Sequence, residues 1–162
     1  MSTRSQSKAS DDGLRVVCSN KRAHRDYEIE ETFEAGLVLV GTEVKSLREG
    51  RAQLKDAYAV VENNEVFLVG CHISAYPMAT VFNHEPERRR KLLLGRFEIK
   101  RIAVRVRERG QTLVPLRIYF KRHLAKVEIA LVRGKAQADR RQDIRRRDMD
   151  RDMEREVRQR HR

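Results

Sequence analysis

Nowhere do apolar side chains run for anything near the ~18 residues that a membrane span needs. The longest stretches are of the kind found at residues 66–69. The opening MSTRSQSKASDDG has no apolar signal-peptide core, so a soluble, cytoplasmic protein without a membrane partner is expected. Cysteine is scarce: Cys18 and Cys71 are the only two, their spacing fits no metal motif, and in a basic chain without an export signal they are expected to stay reduced. Common catalytic motifs are missing as well, with no glycine-rich phosphate loop, no HExxH, no CxxC and no serine or cysteine in a nucleophile elbow. No metal and no cofactor is expected. The one pair that suggests acid/base chemistry is His84-Glu85, but neighbours in a proline-containing loop rarely point into one site.

What the chain does have is positive charge. Its 162 residues carry 36 Lys+Arg against 24 Asp+Glu, a net charge of +12. The excess is segmented: residues 1–25 are +4, 26–84 are −6, 85–126 are +10 and 133–162 are +5. A basic patch on a folded core with two basic tails is the footprint of a nucleic-acid partner, while any single run of charge is more simply a solvated face. His24 and His123 sit among arginines, where they suit phosphate or a stacked base, and His72 reads as structural. Tyr76 and Phe82 precede Arg88-Arg89-Arg90-Lys91, and rings beside a basic cluster suit looped RNA as well as they suit a core.

Periodicity sets the expected elements. Residues 1–19 are polar and aperiodic and are expected to be disordered. Residues 26–33 alternate and 37–40 form a buried-strand run, followed by a two-turn helix from a Thr42 cap to Gly50. Residues 57–61 and 66–69 flank Asn63-Asn64, which has hairpin-turn chemistry. A long ordered loop is expected over 75–86, and 97–109 fits both strand alternation and a helix face, with its β-branched content favouring strand but not settling it. Strands at 114–120 and 127–132 join through Lys121-Arg122-His123. Five to seven short strands with one or two helices predict a mainly β fold, a small closed or nearly closed barrel. The tail from 135 lacks Gly and Pro and offers Asp143/Arg147, Glu154/Arg158 and Glu156/Arg160 at i, i+4. Its apolar stripe of Ile144, Met149, Met153 and Val157 is too thin to dock firmly.

Several strings stand in order: NKRAHRDYEIEETFEAG at 20–36, GTEVKSLREG at 41–50, HIS at 72–74, FNHEPERRRKLLL at 82–94, LVPLRIYF at 113–120 and RGKAQADRRQDIRRRD at 133–148. In order and spacing they closely resemble the SmpB family of bacterial SsrA-binding proteins. The resemblance implies an oligonucleotide-binding-like antiparallel barrel of about six strands with flanking helices, one of them at 97–109. The implied domains are a disordered segment 1–19, an RNA-binding barrel 20–133 and a basic tail 134–162, disordered alone and helical on the ribosome. It implies a non-enzymatic protein that binds transfer-messenger RNA (tmRNA, or SsrA) and delivers it to stalled ribosomes for trans-translation and rescue. The implied partners are tmRNA, the decoding centre, messenger channel and RNA of the ribosome, and elongation factor Tu indirectly through tmRNA. Against it stand two other classes, a ribonuclease using His84 or His123 and a general RNA chaperone or ribosome-assembly protein.

Carried over position by position, the resemblance implies tmRNA contacts at Lys21, Arg22, His24, Arg25, Glu34, Lys45, Arg48, Arg90, Lys91 and Leu93. It implies ribosome contacts for the tail at Gly134, Lys135, Asp139, Arg140, Arg141, Arg145, Arg146 and Arg147. Departures from the family pattern are Gly95, where relatives carry a polar side chain, the order His24-Arg25, Ala136 in place of a lysine, and Arg140 in an Asp-Lys-Arg triplet.

Overall fold

Two tight hairpins frame the molecule in the computed structural model, which describes residues 13–134 and 137–160. The order is β1 (Leu14–Ser19), α1 (Ala23–Asp26), β2 (Tyr27–Leu37), α2 (Gly41–Arg48), β3 (Ala52–Gln53), β4 (Tyr58–Glu62), β5 (Glu65–Val69), β6 (His72–Ile73), β7 (Arg90–Leu93), α3 (Arg96–Arg109), β8 (Thr112–Lys121), β9 (Leu124–Gly134) and α4 (Gln137–Arg160). The β4–β5 hairpin turns on Asn63 and Asn64, both at positive φ, as their chemistry predicts. The β8–β9 hairpin turns on Arg122 and His123, also both at positive φ.

Six strands close into an antiparallel ring in the order β8-β4-β5-β7-β2-β9 and back to β8. Closure removes exposed edges from the ring, and alternate residues of each strand fill its interior. Phe33, Ala35, Leu37, Val66, Leu68, Leu92, Ile118, Val127, Ile129 and Leu131 form this core. The helix face Ile99, Ile102 and Val106 of α3 packs against it. The ambiguity at 97–109 therefore resolves to a helix, closed by Gly110 in the left-handed conformation.

β-Bulges divide the outside of the barrel in two. Register shifts between Ile29 and Glu31 on β2, and between Pro115 and Arg117 on β8, switch which alternate residues face inward. Pro115, which has no N–H to donate, sits where the ladder is already interrupted. On one side of the bulges, Val114, Leu116, Ala130 and Val132 gather beneath Ala23 of α1, with Tyr27 and Ile29 packed beside them, as a second small core. Past the bulges the outer face of β2, β8 and β9 is polar.

Several expectations are corrected. Residues 14–19 are not disordered: β1 pairs with β8 from Leu14↔Lys121 to Ser19↔Arg117, an order set by a partner far along the chain. The α2 helix starts at Gly41, and its first turn is held by Glu43, which accepts the Val40 N–H at 3.0 Å. Thr42 does not cap it but meets His84 Nδ1 at 2.9 Å. The 75–86 loop is ordered as expected, with Asn83 bridging the backbone of Tyr76 at 3.1 and 2.9 Å. Along α4 the ion pairs among the described residues are Asp148–Arg151 and Asp152–Arg155 at i, i+3; Glu154/Arg158 and Glu156/Arg160 do not pair. The side chain of Asp143, expected against Arg147, lies outside the described residues.

Candidate RNA-binding surface

The polar face beyond the bulges is built by strand register. Glu34 on β2 stands opposite Glu128 on β9, which stands opposite Arg117 on β8. Two carboxylates side by side need cations. Arg117 Nε donates to Glu128 at 2.6 Å, Lys121 Nζ lies 3.6 Å from Glu34, and the Tyr119 hydroxyl donates to Glu34. The Tyr119 hydrogen bond, with Lys121 and Lys126 nearby, holds the Glu34 carboxyl below its ordinary range despite some burial. Burial and the same hydrogen bond push the Tyr119 phenol upward, so it stays a donor. Glu34 is thus an ionised acceptor with fixed orientation, its side chain still 42% exposed.

Beside it, Leu93 on β7 is opposite Gly36 on β2. Leu93 stands 55% exposed because Gly36 leaves it room; a Cβ at position 36 would come within 3.2 Å of the Leu93 Cβ. Lys91 pairs with Glu65 at 2.9 Å at the edge of this face. Lys45 lies over the Tyr76 ring, 5.4 Å from its centroid, and Arg48 is exposed at the end of α2. Glu34, Leu93, Lys91 and Lys126 form one strand face, with α2 following β2 after three residues.

The other predicted residues lie elsewhere. Lys21 and Arg22 line an open cleft of about 640 Å³ with Tyr27, Lys55 and Tyr58. His24 and Arg25 are exposed on α1, and Arg147 of α4 reaches the His24 carbonyl at 3.5 Å. Gly134 ends β9; Arg141, Arg145 and Arg146 are exposed along α4; Asp139 and Arg140 lie in its first turns. Lys135 lies outside the described residues.

Arg90 needs correction as an RNA contact. It is wholly buried, its Nε bonded to Glu43 and its Nη atoms to the carbonyls of Cys71 at 2.7 Å and Pro86 at 3.0 Å. Arg88 completes the pair on Glu43 at 2.5 Å. Burial alone would raise the Glu43 carboxyl, but Arg88, the Val40 N–H and Arg90 together hold it below the ordinary range. The basic run that reads as a patch is therefore partly a buried lock joining α2 to β7. Gly95 is the N-cap of α3, its N–H donating to Glu98 at 3.2 Å.

His84 is spoken for as well. Its ring nitrogens meet Thr42 Oγ1 and the Ile73 carbonyl, each at 2.9 Å, and it is 5% exposed. His72 is half-buried, 3.8 Å from Glu87, and His123 is exposed. Phe82 is 74% exposed and free for stacking, whereas Tyr76 is half-buried beneath Lys45. Sequence reasoning missed Tyr119, Lys121, Arg117 and Lys126, because only register shows that alternate β8 and β9 residues converge on Glu34. The two thiols are free: burial pushes Cys18 up to about 11 and Cys71 to about 12. No group of three or more metal-ligating side chains exists among the described residues, and none of their helices is long and apolar enough to cross a membrane.

The family model described as SmpB protein matches residues 17–159. An SsrA-binding protein of Moorella thermoacetica is 56% identical over 148 residues, covering 91% of this chain and 96% of the relative. One from Thermobifida fusca is 55% identical over 148 residues, covering 91% and 92%. A chain from the solved structure described as "tmRNA-SmpB: a journey to the center of the bacterial ribosome" superposes with a TM-score of 0.62 at 46% identity, covering 74% of this chain and 85% of that one. The match spans the ring, the Glu34 face and most of the tail, so the chain belongs to the SmpB family.

Proposed function

We propose that this protein binds tmRNA through the Glu34 face of its barrel and brings it to stalled ribosomes for trans-translation, acting by binding alone. The observation that carries the reading is the ionised, oriented Glu34 carboxylate beside Leu93 on an open face that also offers Lys91, Lys121 and Lys126. A carboxylate accepts from base and ribose donors, while the surrounding ammonium groups take phosphate, the division of labour expected for a folded RNA held mainly by shape. Relatives more than half identical over most of their length are SsrA-binding proteins, which supports the same partner here.

On this reading Lys21, Arg22, His24 and Arg25 form a second contact region on the side of α1, next to α4. The tail carries Gly134, Lys135, Asp139, Arg140, Arg141 and the Arg145–Arg146–Arg147 run into the messenger channel, where its helix is held by ribosomal RNA. Elongation factor Tu joins through tmRNA. No ribonuclease step is included, since both ring nitrogens of His84 are used in holding the loop to α2 and β6.

Sequencing the RNA that copurifies with the intact protein tests the reading. One abundant tRNA-like species is expected; a broad mixture would favour a general RNA chaperone instead.

A further inference from the structure

The second hairpin turn contradicts its own chemistry. Two-residue turns with positive φ at both positions favour Asn and Gly, since other L residues are strained there. The β4–β5 turn obeys this with Asn63 at φ 50° and Asn64 at φ 59°. The β8–β9 turn adopts the same geometry with Arg122 at φ 52° and His123 at φ 78°. Both side chains are exposed, so no packing accounts for them.

What they do is complete a cleft of about 380 Å³ lined by Gly13, Arg15, Arg48, Phe120, Arg122 and His123. Three elements converge on it. β1 supplies Arg15, which lies opposite Phe120 and whose Nη2 donates to the Arg48 carbonyl at 2.5 Å, tying β1 to the end of α2. α2 supplies Arg48, and the β8–β9 turn supplies the other two. None of the residues lining the cleft is acidic. The adjacent carboxylates are already engaged, Glu49 with Arg51 at 3.0 Å and Glu34 with Lys121 and Tyr119. Three guanidinium groups and an imidazole are thus gathered with no carboxylate among the described residues to neutralise them, at a backbone site that other residues would fit better. Strain retained beside a cluster of cations is the pattern of a ligand site.

We propose that this cleft binds backbone phosphate of the RNA held on the Glu34 face. It is the next residue along β8, Lys121, that touches Glu34, so a strand crossing that face reaches Arg122 and His123 directly. The inference rests on the tmRNA-binding reading for the identity of the RNA, and on the cleft alone for the phosphate.

The test pairs a turn repair, R122N/H123G, with Arg15→Gln, measuring melting temperature and affinity for tmRNA across a salt series. The repaired turn should melt about 2–4 °C higher, since strain is removed. It should bind about five- to twentyfold more weakly near 0.15 M salt, with a log–log salt slope shallower by about 1–2, the effect of losing one or two phosphate contacts. Arg15→Gln should weaken binding about fivefold for one contact. Higher melting with unchanged affinity would overturn the proposal and leave the turn merely strained. Inorganic phosphate raising the melting temperature of the parent protein but not of the variants, with RNA affinity equal, would assign the cleft to a free anion and overturn it too. If the parent protein shows no preference for tmRNA over an unrelated RNA, the tmRNA reading fails. The same loss of affinity for that unrelated RNA in the variants would still support the phosphate site, and its absence would sink both.

Discussion

A carboxylate exposed on a sheet and one sealed inside the protein have opposite uses, and Glu34 and Glu43 divide along that line. Glu34 is held by Tyr119 and Lys121 but remains open to a partner. Glu34→Ala should lower tmRNA affinity about tenfold or more, the loss of one charge-assisted bond, with little change in melting temperature. Equal affinity in a filter-binding titration would remove Glu34 from the interface. Glu43 has no such freedom, being fully buried between Arg88, Arg90 and the Val40 N–H. Glu43→Gln keeps the shape but leaves the buried Arg90 charge uncompensated, so it should destabilise by about 3–5 kcal/mol in a denaturant titration. RNA affinity of the molecules still folded should not move.

Among the described residues of α4, every side chain is exposed. Ile144, Met149, Met153 and Val157 are 46–64% exposed, and the Arg147 contact to the His24 carbonyl is long at 3.5 Å. A helix whose apolar side chains stay in water contributes little burial energy to the fold. Deleting residues 136–162 should therefore shift the melting temperature little and leave most tmRNA affinity in place. Peptide tagging on stalled ribosomes should be lost, because Asp139, Arg140, Arg141 and the arginines after them would be gone. Full tagging by the truncated protein, or a parallel fall in tagging and tmRNA affinity, would show that the tail is not the ribosome-facing element.

At the scale of the molecule, charge governs both affinity and the pH range of the fold. If four to six phosphates are neutralised, log K against log salt should have a slope of about −3 to −5. A slope near zero would make the +12 excess mere solvation. The Glu34 and Glu43 carboxyls are held lower in the folded chain than unfolded, so their stabilisation is complete above the ordinary glutamate range and is lost as pH falls through their depressed values. The Tyr119 phenol, and the Cys18 and Cys71 thiols, are held higher, so theirs is complete below their ordinary ranges and is lost as pH rises past them. Melting temperature should form a plateau from about pH 5 to about pH 8 and fall on both sides, steeply on the acid side where Glu43 releases its lock. An acid limb unchanged in Glu43→Gln would show that another group governs it.

Local chemistry alone determined a good deal here. The Asn63-Asn64 turn follows from side chains that tolerate positive φ, and the strand at 127–132 and the basic character of 85–126 are carried by neighbouring residues. The motif strings pointed to Glu34 and Leu93. Whatever depended on a distant partner was invisible. Residues 14–19 look aperiodic until β8 supplies the missing edge, and Arg90 reads as one more surface cation until Glu43 and the Cys71 and Pro86 carbonyls enclose it. Periodicity could not choose between helix and strand for 97–109, since the apolar positions suit both, and packing of Ile99, Ile102 and Val106 on the barrel core decides it. Tyr119 and Lys121 acquire a role only because the β2–β9–β8 register brings them to Glu34. Sequence fixes what each side chain can do; closing the ring determines which groups lose water and which meet, and charge pairing and burial depend on those two outcomes.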